Sequence, residues 1–317
     1  MNMTIDDAIW KGLLELRGKE RNKNCLGWAY DGVIFSEVMS ISAISTKAKA
    51  LLLKSEQGVN LKSLPQYNNI IIPFDGLLFS VTQTITGNEL NILQNYWPLS
   101  VLAHLDSDLP HVFIHSATSL DGYLATITGH SRWIGNDENL IHAHRLRALF
   151  DAVLVGSNTV LNDKPSLNVR HVLGDNPKRL ILSNKCEDFS SLKKISNAVT
   201  FLLRDSEYNH TDKAKHFDKI LFYKGTSKHD KMLDLLQKCK KENIKSILIE
   251  GGGTTLSAFI ETKLANNIQF HLSPLLFGSG IKAVKLPEVN LVNETHQLKN
   301  MCVTPIGDSF MITASLA

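Results

Sequence analysis

The sequence predicts an α/β protein with a largely parallel sheet, and three observations lead there. From His111 onward, short apolar runs alternate with segments of helical spacing, as a sheet carrying helices on both faces requires. One run, Asp151-Ala152-Val153-Leu154-Val155-Gly156, is almost wholly apolar, the mark of a strand covered on both sides. The chain then ends with two runs around the turn Ile306-Gly307-Asp308, which read as a hairpin adding an antiparallel edge.

The elements before His111 read differently. Residues 4–20 hold an amphipathic helix with Ile9, Leu13, Leu14 and Leu16 near one face. Strand-like runs occupy Gly27 to Ser40 and Asn69 to Thr84, the second around a Phe74-Asp75-Gly76 turn. Between them, the lysine-dotted segment Lys47 to Lys62 is expected to be a helix and then a loop. Helical spacing returns at Glu89 to Tyr96, with Pro98 and Asp106-Ser107-Asp108-Leu109-Pro110 reading as a boundary. This division gives an N-terminal α+β extension or small domain over 1–110 and a second domain over 111–317.

In the second domain Val112-Phe113-Ile114-His115 is a strand, Asp121-Gly122 a turn, and Asn136 or Asp137 the cap of a helix running to about Leu149. Further strands are expected at Arg179 to Leu182, Ala198 to Leu203, Lys219 to Tyr223 and Ile268 to Leu272. Met232, Leu235, Leu236 and Cys239 fall at i, i+3, i+4 and i+7, which predicts a helix over 229–242.

Composition narrows the classes. The chain has 317 residues, 43% of them hydrophobic and 21% charged, enough for a sizeable core. A net charge of +3 from 34 basic and 31 acidic residues is too balanced to argue for a nucleic-acid or membrane partner. Cys25, Cys186, Cys239 and Cys302 are scattered, with no CxxC pair and no His at zinc spacing, so neither a disulfide framework nor a metal site is expected. The first residues lack a basic and apolar leader pattern, and no apolar run approaches the roughly 18 residues of a membrane span. A cytoplasmic protein is the expectation.

Five clusters could carry chemistry. Ile247-Leu248-Ile249-Glu250-Gly251-Gly252-Gly253-Thr254-Thr255 reads as strand, triple glycine and helix start. Glycines admit a ligand close to the backbone, and a helix start offers unpaired N–H groups and a positive dipole end, so the run suits a phosphate. It matches neither GxGxxG nor a Walker A loop, and an empty tight turn explains it about as well. Ser116-Ala117-Thr118-Ser119-Leu120-Asp121-Gly122 follows a strand and reads as a hydroxyl-rich turn, and Gly129 to Ile134 as a polar loop around Trp133. His142, His144, Arg145 and Arg147 share one helix; a solvated basic face explains most such runs, and histidines at i and i+2 do not make a metal pair. Thr159 to Arg170 places an acid, a hydroxyl and an arginine in a loop after a buried strand, where α/β proteins hold ligands.

In order and spacing these clusters resemble one family. Ser119-Leu120-Asp121-Gly122, Gly129-x-Ser131-x-Trp133-Ile134, Leu146-Arg147-Ala148-x-x-Asp151-Ala152, Thr159 to Arg170, and Glu250-Gly251-Gly252 are similar to the riboflavin-biosynthesis pyrimidine reductases. Ser273-Pro274-Leu275-Leu276-Phe277-Gly278-Ser279-Gly280 and the Gly307-Asp308 hairpin add to the resemblance, which covers roughly 111–315.

The resemblance implies a dihydrofolate-reductase-like fold, with a mixed, mostly parallel sheet flanked by helices, and a homodimer. It implies an oxidoreductase that uses NADPH to reduce the ribosyl group of 5-amino-6-(5-phosphoribosylamino)uracil, with hydride passing to C1′ of an opened sugar. Ser131, Arg147, Leu167, Arg170 and Glu250 would contact this phosphorylated aminopyrimidine, the two arginines on its phosphate and Glu250 on its uracil or amino group. Ala117, Trp133, Thr159, Asp163, Gly252, Gly253, Thr254 and Thr255 would hold NADPH, and Asp163 would be the catalytic acid. Three departures stand out: Ser183-Asn184 where Asp-Ser is usual, Asn266-Asn267 where two acids are usual, and Lys164 beside Asp163, expected to lower its pKa. No zinc deaminase domain is expected in residues 1–110, which contain neither His-x-Glu nor Pro-Cys-x-x-Cys. The same residues leave two alternatives: reduction of another aminopyrimidine or pterin-like metabolite, or a nucleotide-binding module without catalysis.

Overall fold

A computed structural model describes residues 5–18, 25, 27–32, 34–39, 44, 47–54, 68–70, 72, 74, 77–85, 87–105, 107–132, 134–185, 189–190, 192, 195, 197–208 and 216–316. By contacts the chain divides into two units, residues 1–105 with 300–302, and 106–299 with 303–317.

The first unit pairs two helices, α1 (Ile5–Gly18) and α2 (Gly87–Val101), with five antiparallel strands. These are β1 (Gly27–Tyr30), β2 (Phe35–Val38), β3 (Ala50–Lys54), β4 (Asn68–Ile70) and β5 (Leu77–Val81), in the order β2-β1-β3-β5-β4. Trp97 of α2 packs edge-on against Phe35 at 4.9 Å and Phe79 at 6.0 Å between ring centroids. Two sequence expectations are corrected here. The expected helix after Lys47 is strand β3: Ala50-Leu51-Leu52-Leu53 is buried throughout and pairs with both β1 and β5. A short continuous apolar run carries no period that separates a buried strand from a helix. The remainder of that segment, 55–62, lies outside the described residues. Pro98 is not a boundary either, since α2 runs through it to Val101, held by the buried Trp97, Leu99 and Val101 around it.

The second unit follows the alternating pattern. Its elements are β6 (His111–Ser119), β7 (Tyr123–Ala125), α3 (Asp137–Leu149), β8 (Ala152–Gly156), α4 (Ser157–Asp163), β9 (Lys178–Leu182), β10 (Thr200–Asp205) and β11 (Lys219–Tyr223). Then come α5 (Lys228–Lys241), β12 (Ser246–Glu250), α6 (Gly253–Glu261), β13 (Asn267–Ser273), β14 (Ile281–Lys282), β15 (Leu298–Ile306) and β16 (Ser309–Leu316). Among the described residues nine strands form one sheet in the order β11-β10-β9-β8-β12-β6-β13-β16-β15. The strands from β11 to β13 in that order run parallel, and β16 joins β13 antiparallel, as the closing hairpin predicted. β7 and β14 pair separately.

Local signals set the helix starts. Asn136 caps α3, its side chain accepting the N–H of Asn139 at 2.8 Å. Ser227 and Asp230 form a capping box at the start of α5. The two adjacent asparagines knit the sheet: Asn266 Oδ1 accepts the Val112 N–H, and Asn267 Oδ1 lies 2.8 Å from His111 Nε2.

The core lies around the central strands, where Val112, Ile114, Leu154, Ile247 and Ile249 are fully buried. Such a site relaxes poorly around a void. Ile249→Ala is expected to cost about 2–5 kcal/mol in urea unfolding, with no change in the slope of the transition.

Candidate active site

Strand β12 sits between β8 and β6, so its carboxyl end opens at the centre of the sheet, where open α/β sheets place ligands. There Gly251 and Gly252 both have φ of +72°, a region that L side chains rarely adopt. Gly253 serves a different need. A Cβ on it would lie 2.5 Å from the Lys282 carbonyl oxygen, so only glycine lets the first turn of α6 pack against β14.

One residue before this turn, Glu250 meets Arg147 of α3 in a two-point contact. Arg147 Nε donates to Glu250 Oε1 at 2.7 Å and Nη2 donates to Oε2 at 2.6 Å. The third nitrogen, Nη1, donates to the Asn168 carbonyl at 3.3 Å. Both side chains are nearly buried, at 12% and 14% exposure. Burial alone would depress the Arg147 pKa; the Glu250 carboxylate outweighs it and holds the guanidinium above its ordinary value. Beside it, His144 Nδ1 accepts the Arg170 N–H at 3.1 Å, which anchors the loop after α4 to α3. Burial first, then Arg147 and Arg170, push His144 down to about 3, so the ring is neutral and suited to accepting.

Two cavities flank the glycine turn. The larger, about 890 Å³, is lined by residues that include His115, Ala117, Ser131, Asp163, Glu250 and Lys285. The smaller, about 580 Å³, includes Asn184, Lys185, Asp205, Tyr223 and Lys231. Asn158, Thr159, Lys228, Gly252, Thr254 and Ala258 line both, so the cavities meet over the start of α6. Lys228, the first residue of α5, is held there by Glu261 of α6 at 2.5 Å.

Asp163 ends α4 at the larger cavity, and the next residue turns left-handed, Lys164 having φ of 47°. Partial desolvation at the cavity wall raises the Asp163 pKa. The expected depression by Lys164 is corrected, since Lys164 is exposed and contributes nothing to the shift. The turn at Ser119 to Gly122 braces a neighbouring loop, because the Asp121 carboxylate accepts the N–H groups of Phe277 and Gly278, at 3.1 and 2.7 Å. The Ser119 hydroxyl, also donating to it, leads in holding the Asp121 pKa down.

Of the residues expected at the site, Ala117, Ser131, Thr159, Asp163, Glu250, Gly252, Gly253 and Thr254 converge on the larger cavity. Thr255 lines the smaller one. Arg147, Leu167 and Arg170 line neither cavity. Arg147 stands behind Glu250, Leu167 is buried with φ of 53°, and Arg170 Nη1 donates to Asn168 Oδ1. Trp133 lies outside the described residues. The basic run on α3 is not a solvated face, because His142 is buried against Gln269 of the sheet and His144 against the loop at Arg170 and His171. Sequence reasoning missed His115, Asn158 and Lys228, which reach the cavities from three separate elements. Asn184, one of the departures from the family pattern, braces the smaller cavity: its Oδ1 accepts the Asp205 N–H and the Tyr223 hydroxyl.

Comparison with known proteins adds four findings. A family model, the RibD C-terminal domain, matches residues 110–310. The riboflavin biosynthesis protein RibD of Aquifex aeolicus is 31% identical over 213 residues, covering 66% of this chain and 58% of that protein. The 2,5-diamino-6-ribosylamino-4(3H)-pyrimidinone 5′-phosphate reductase of Methanothermobacter thermautotrophicus is 30% identical over 174 residues, covering 53% of this chain and 80% of its own. The chain thus spans less than three-fifths of the RibD proteins it matches. A solved riboflavin biosynthesis reductase from Saccharomyces cerevisiae shares the fold, with a TM-score of 0.57 at 24% identity over 72% of this chain and 99% of that one.

The packing at Gly253 gives a direct test of the turn. Gly253→Ala is expected to cost about 1–3 kcal/mol by overpacking, read by urea unfolding, whereas Gly87→Ala, with open space around its Cβ, costs no such penalty.

Proposed function

The chain belongs to the RibD C-terminal domain family, and from that premise we propose that it is an NADPH-dependent reductase of 5-amino-6-(5-phosphoribosylamino)uracil. The observation that carries the reading is the pair of cavities joined over the glycine turn, both reached by lysines and the larger one bearing a carboxyl of raised pKa. A dinucleotide has that shape: two bulky ends and a charged middle.

NADPH fits the residues present. Gly252, Gly253 and Thr254 at the start of α6 offer backbone N–H groups and a positive dipole end to the pyrophosphate, with Lys228 beside them. Thr159 reaches the same junction from α4, and Lys185 and Lys231 stand at the adenosine end. When bound, NADPH supplies the hydride.

The chain's own groups then divide the work. Glu250, held rigid by Arg147, orients the pyrimidine by accepting its N–H groups. Ser131 and Arg170 face the ribosyl phosphate, Arg170 being the arginine whose guanidinium is not enclosed by a carboxylate. Leu167 sets the loop that leads from Asp163 to Arg170, and Asp163 delivers the proton that completes reduction at the sugar. A raised pKa suits that step, since the carboxyl stays protonated to higher pH than an ordinary aspartate. We also propose a homodimer formed across the β15–β16 ribbon, where Leu298, Val303 and Phe310 are exposed on the sheet's edge.

Two experiments test this reading. Mixed with NADPH and the phosphoribosylaminouracil, the protein should oxidise the cofactor, followed at the nicotinamide absorbance band. No oxidation, with NADPH still raising the melting temperature, would rule out this substrate. Asp163→Asn should keep NADPH binding yet lose about 10²–10⁴-fold in kcat. It should also lack the decline that wild type shows as pH rises through the Asp163 pKa; near-normal turnover would remove Asp163 as the acid.

A further inference from the structure

A polar cluster lies beneath α3, where a sheet face would ordinarily be apolar. His115 of β6, His142 of α3, and Gln269 and His271 of β13 are each at most 4% exposed. Gln269 stands at the centre. Its Nε2 donates to Thr313 Oγ1 of β16 at 2.9 Å. Its Oε1 lies 2.9 Å from His115 Nδ1 and 2.6 Å from His142 Nε2. The two histidine rings meet edge to face, with centroids 5.1 Å apart.

With the Gln269 oxygen turned to the two rings, the positions of the histidine protons follow. An amide oxygen only accepts, so both ring nitrogens facing Gln269 Oε1 must carry hydrogen. Burial is the leading cause that pushes His115 down to about 3 and His142 well below its ordinary value, so each ring is neutral with a single proton. The His115 proton therefore sits on Nδ1, and Nε2 is a bare acceptor. Register then gives direction. His115 is paired with Glu250 across the parallel strands β6 and β12, so their side chains leave the sheet on one face. Both residues line the larger cavity.

Building on the reductase reading above, we propose that Gln269, oriented by Thr313, locks His115 in the Nδ1–H tautomer so that its Nε2 accepts an N–H of the aminopyrimidine beside Glu250. Gln269 and Thr313 are positioning residues, and His115 is the group that touches the substrate. Two acceptors side by side select a ring edge that bears two donors, as an aminouracil edge does. A substrate presenting a carbonyl at that point meets a lone pair and is rejected.

The tautomer is read on the whole protein without ligand, by long-range ¹H–¹⁵N correlation of the histidine rings, with His115→Asn assigning the signals. The expected pattern is a protonated Nδ1 and a bare Nε2 on His115. A proton on His115 Nε2 overturns the proposal, because it means the Gln269 amide is turned the other way. Thr313→Val removes the hydroxyl that orients the amide and should raise KM for the phosphoribosylaminouracil about tenfold, with KM for NADPH unchanged, the size expected for one misdirected hydrogen bond. Thr313→Ser, which keeps the hydroxyl, should restore wild-type KM. An unchanged KM in Thr313→Val overturns the proposal even if the tautomer is as expected. A wild-type protein that does not turn over this substrate fails the reductase reading itself, and with it the assignment of the His115 acceptor to this ligand, whatever the ring spectra show.

Discussion

The two-point contact between Arg147 and Glu250 is the constraint on which the site depends. It joins a helix on one face of the sheet to the last residue of its central strand, immediately before two glycines with positive φ. An ion pair so nearly enclosed is costly to form and more costly to leave half made, since each charge has lost most of its water. The guanidinium is accordingly fully engaged, two nitrogens on the carboxylate and the third on the Asn168 carbonyl, while each Glu250 oxygen keeps a lone pair to spare. That third bond, together with His144 and the Arg170 N–H, ties the loop after α4 to the same helix. One side chain thereby fixes a wall of the cavity and the loop that follows Asp163.

What lies beyond Glu250 is governed by space rather than charge. Gly251 and Gly252 turn the backbone through a region closed to side chains, and Gly253 lets α6 begin against the Lys282 and Ala283 carbonyls. The helix start consequently faces the junction of the two cavities with bare backbone at Gly252 and Gly253, and Thr254 as its first side chain there. Charge arrives from elsewhere, through Lys228 at the start of α5, whose ion pair with Glu261 fastens that helix to α6. Rigid glycine geometry with lysines brought in from other elements makes a junction that neither GxGxxG nor Walker A describes.

Much of the second unit is legible in the sequence, because its strands are short, nearly all apolar and punctuated by caps. Asn136 and the period of Met232 to Cys239 each forecast the helix that forms. The glycine turn is legible as a place but not as a mechanism, since nothing in a linear chain says which of three glycines answers to φ and which to packing. Strand β3 is not legible, because four consecutive apolar residues have no period and the lysines around them suggest a helix face. The chemistry of Arg147 suggests a phosphate ligand; its partner lies 103 residues away, a pairing that local spacing does not reveal. His115 escapes notice for the same reason, as its role depends on Gln269, 154 residues further on.

The central claim is that Arg147 and Glu250 act as one unit, and a double-mutant cycle measures that directly. Urea unfolding of Arg147→Met, Glu250→Gln and the double variant should show each single change costing far more than its share. The double variant should then be less destabilised than the sum by about 1–3 kcal/mol. Additive effects would mean that the two side chains stand near each other without depending on each other, and the account of the site built on their contact would be wrong.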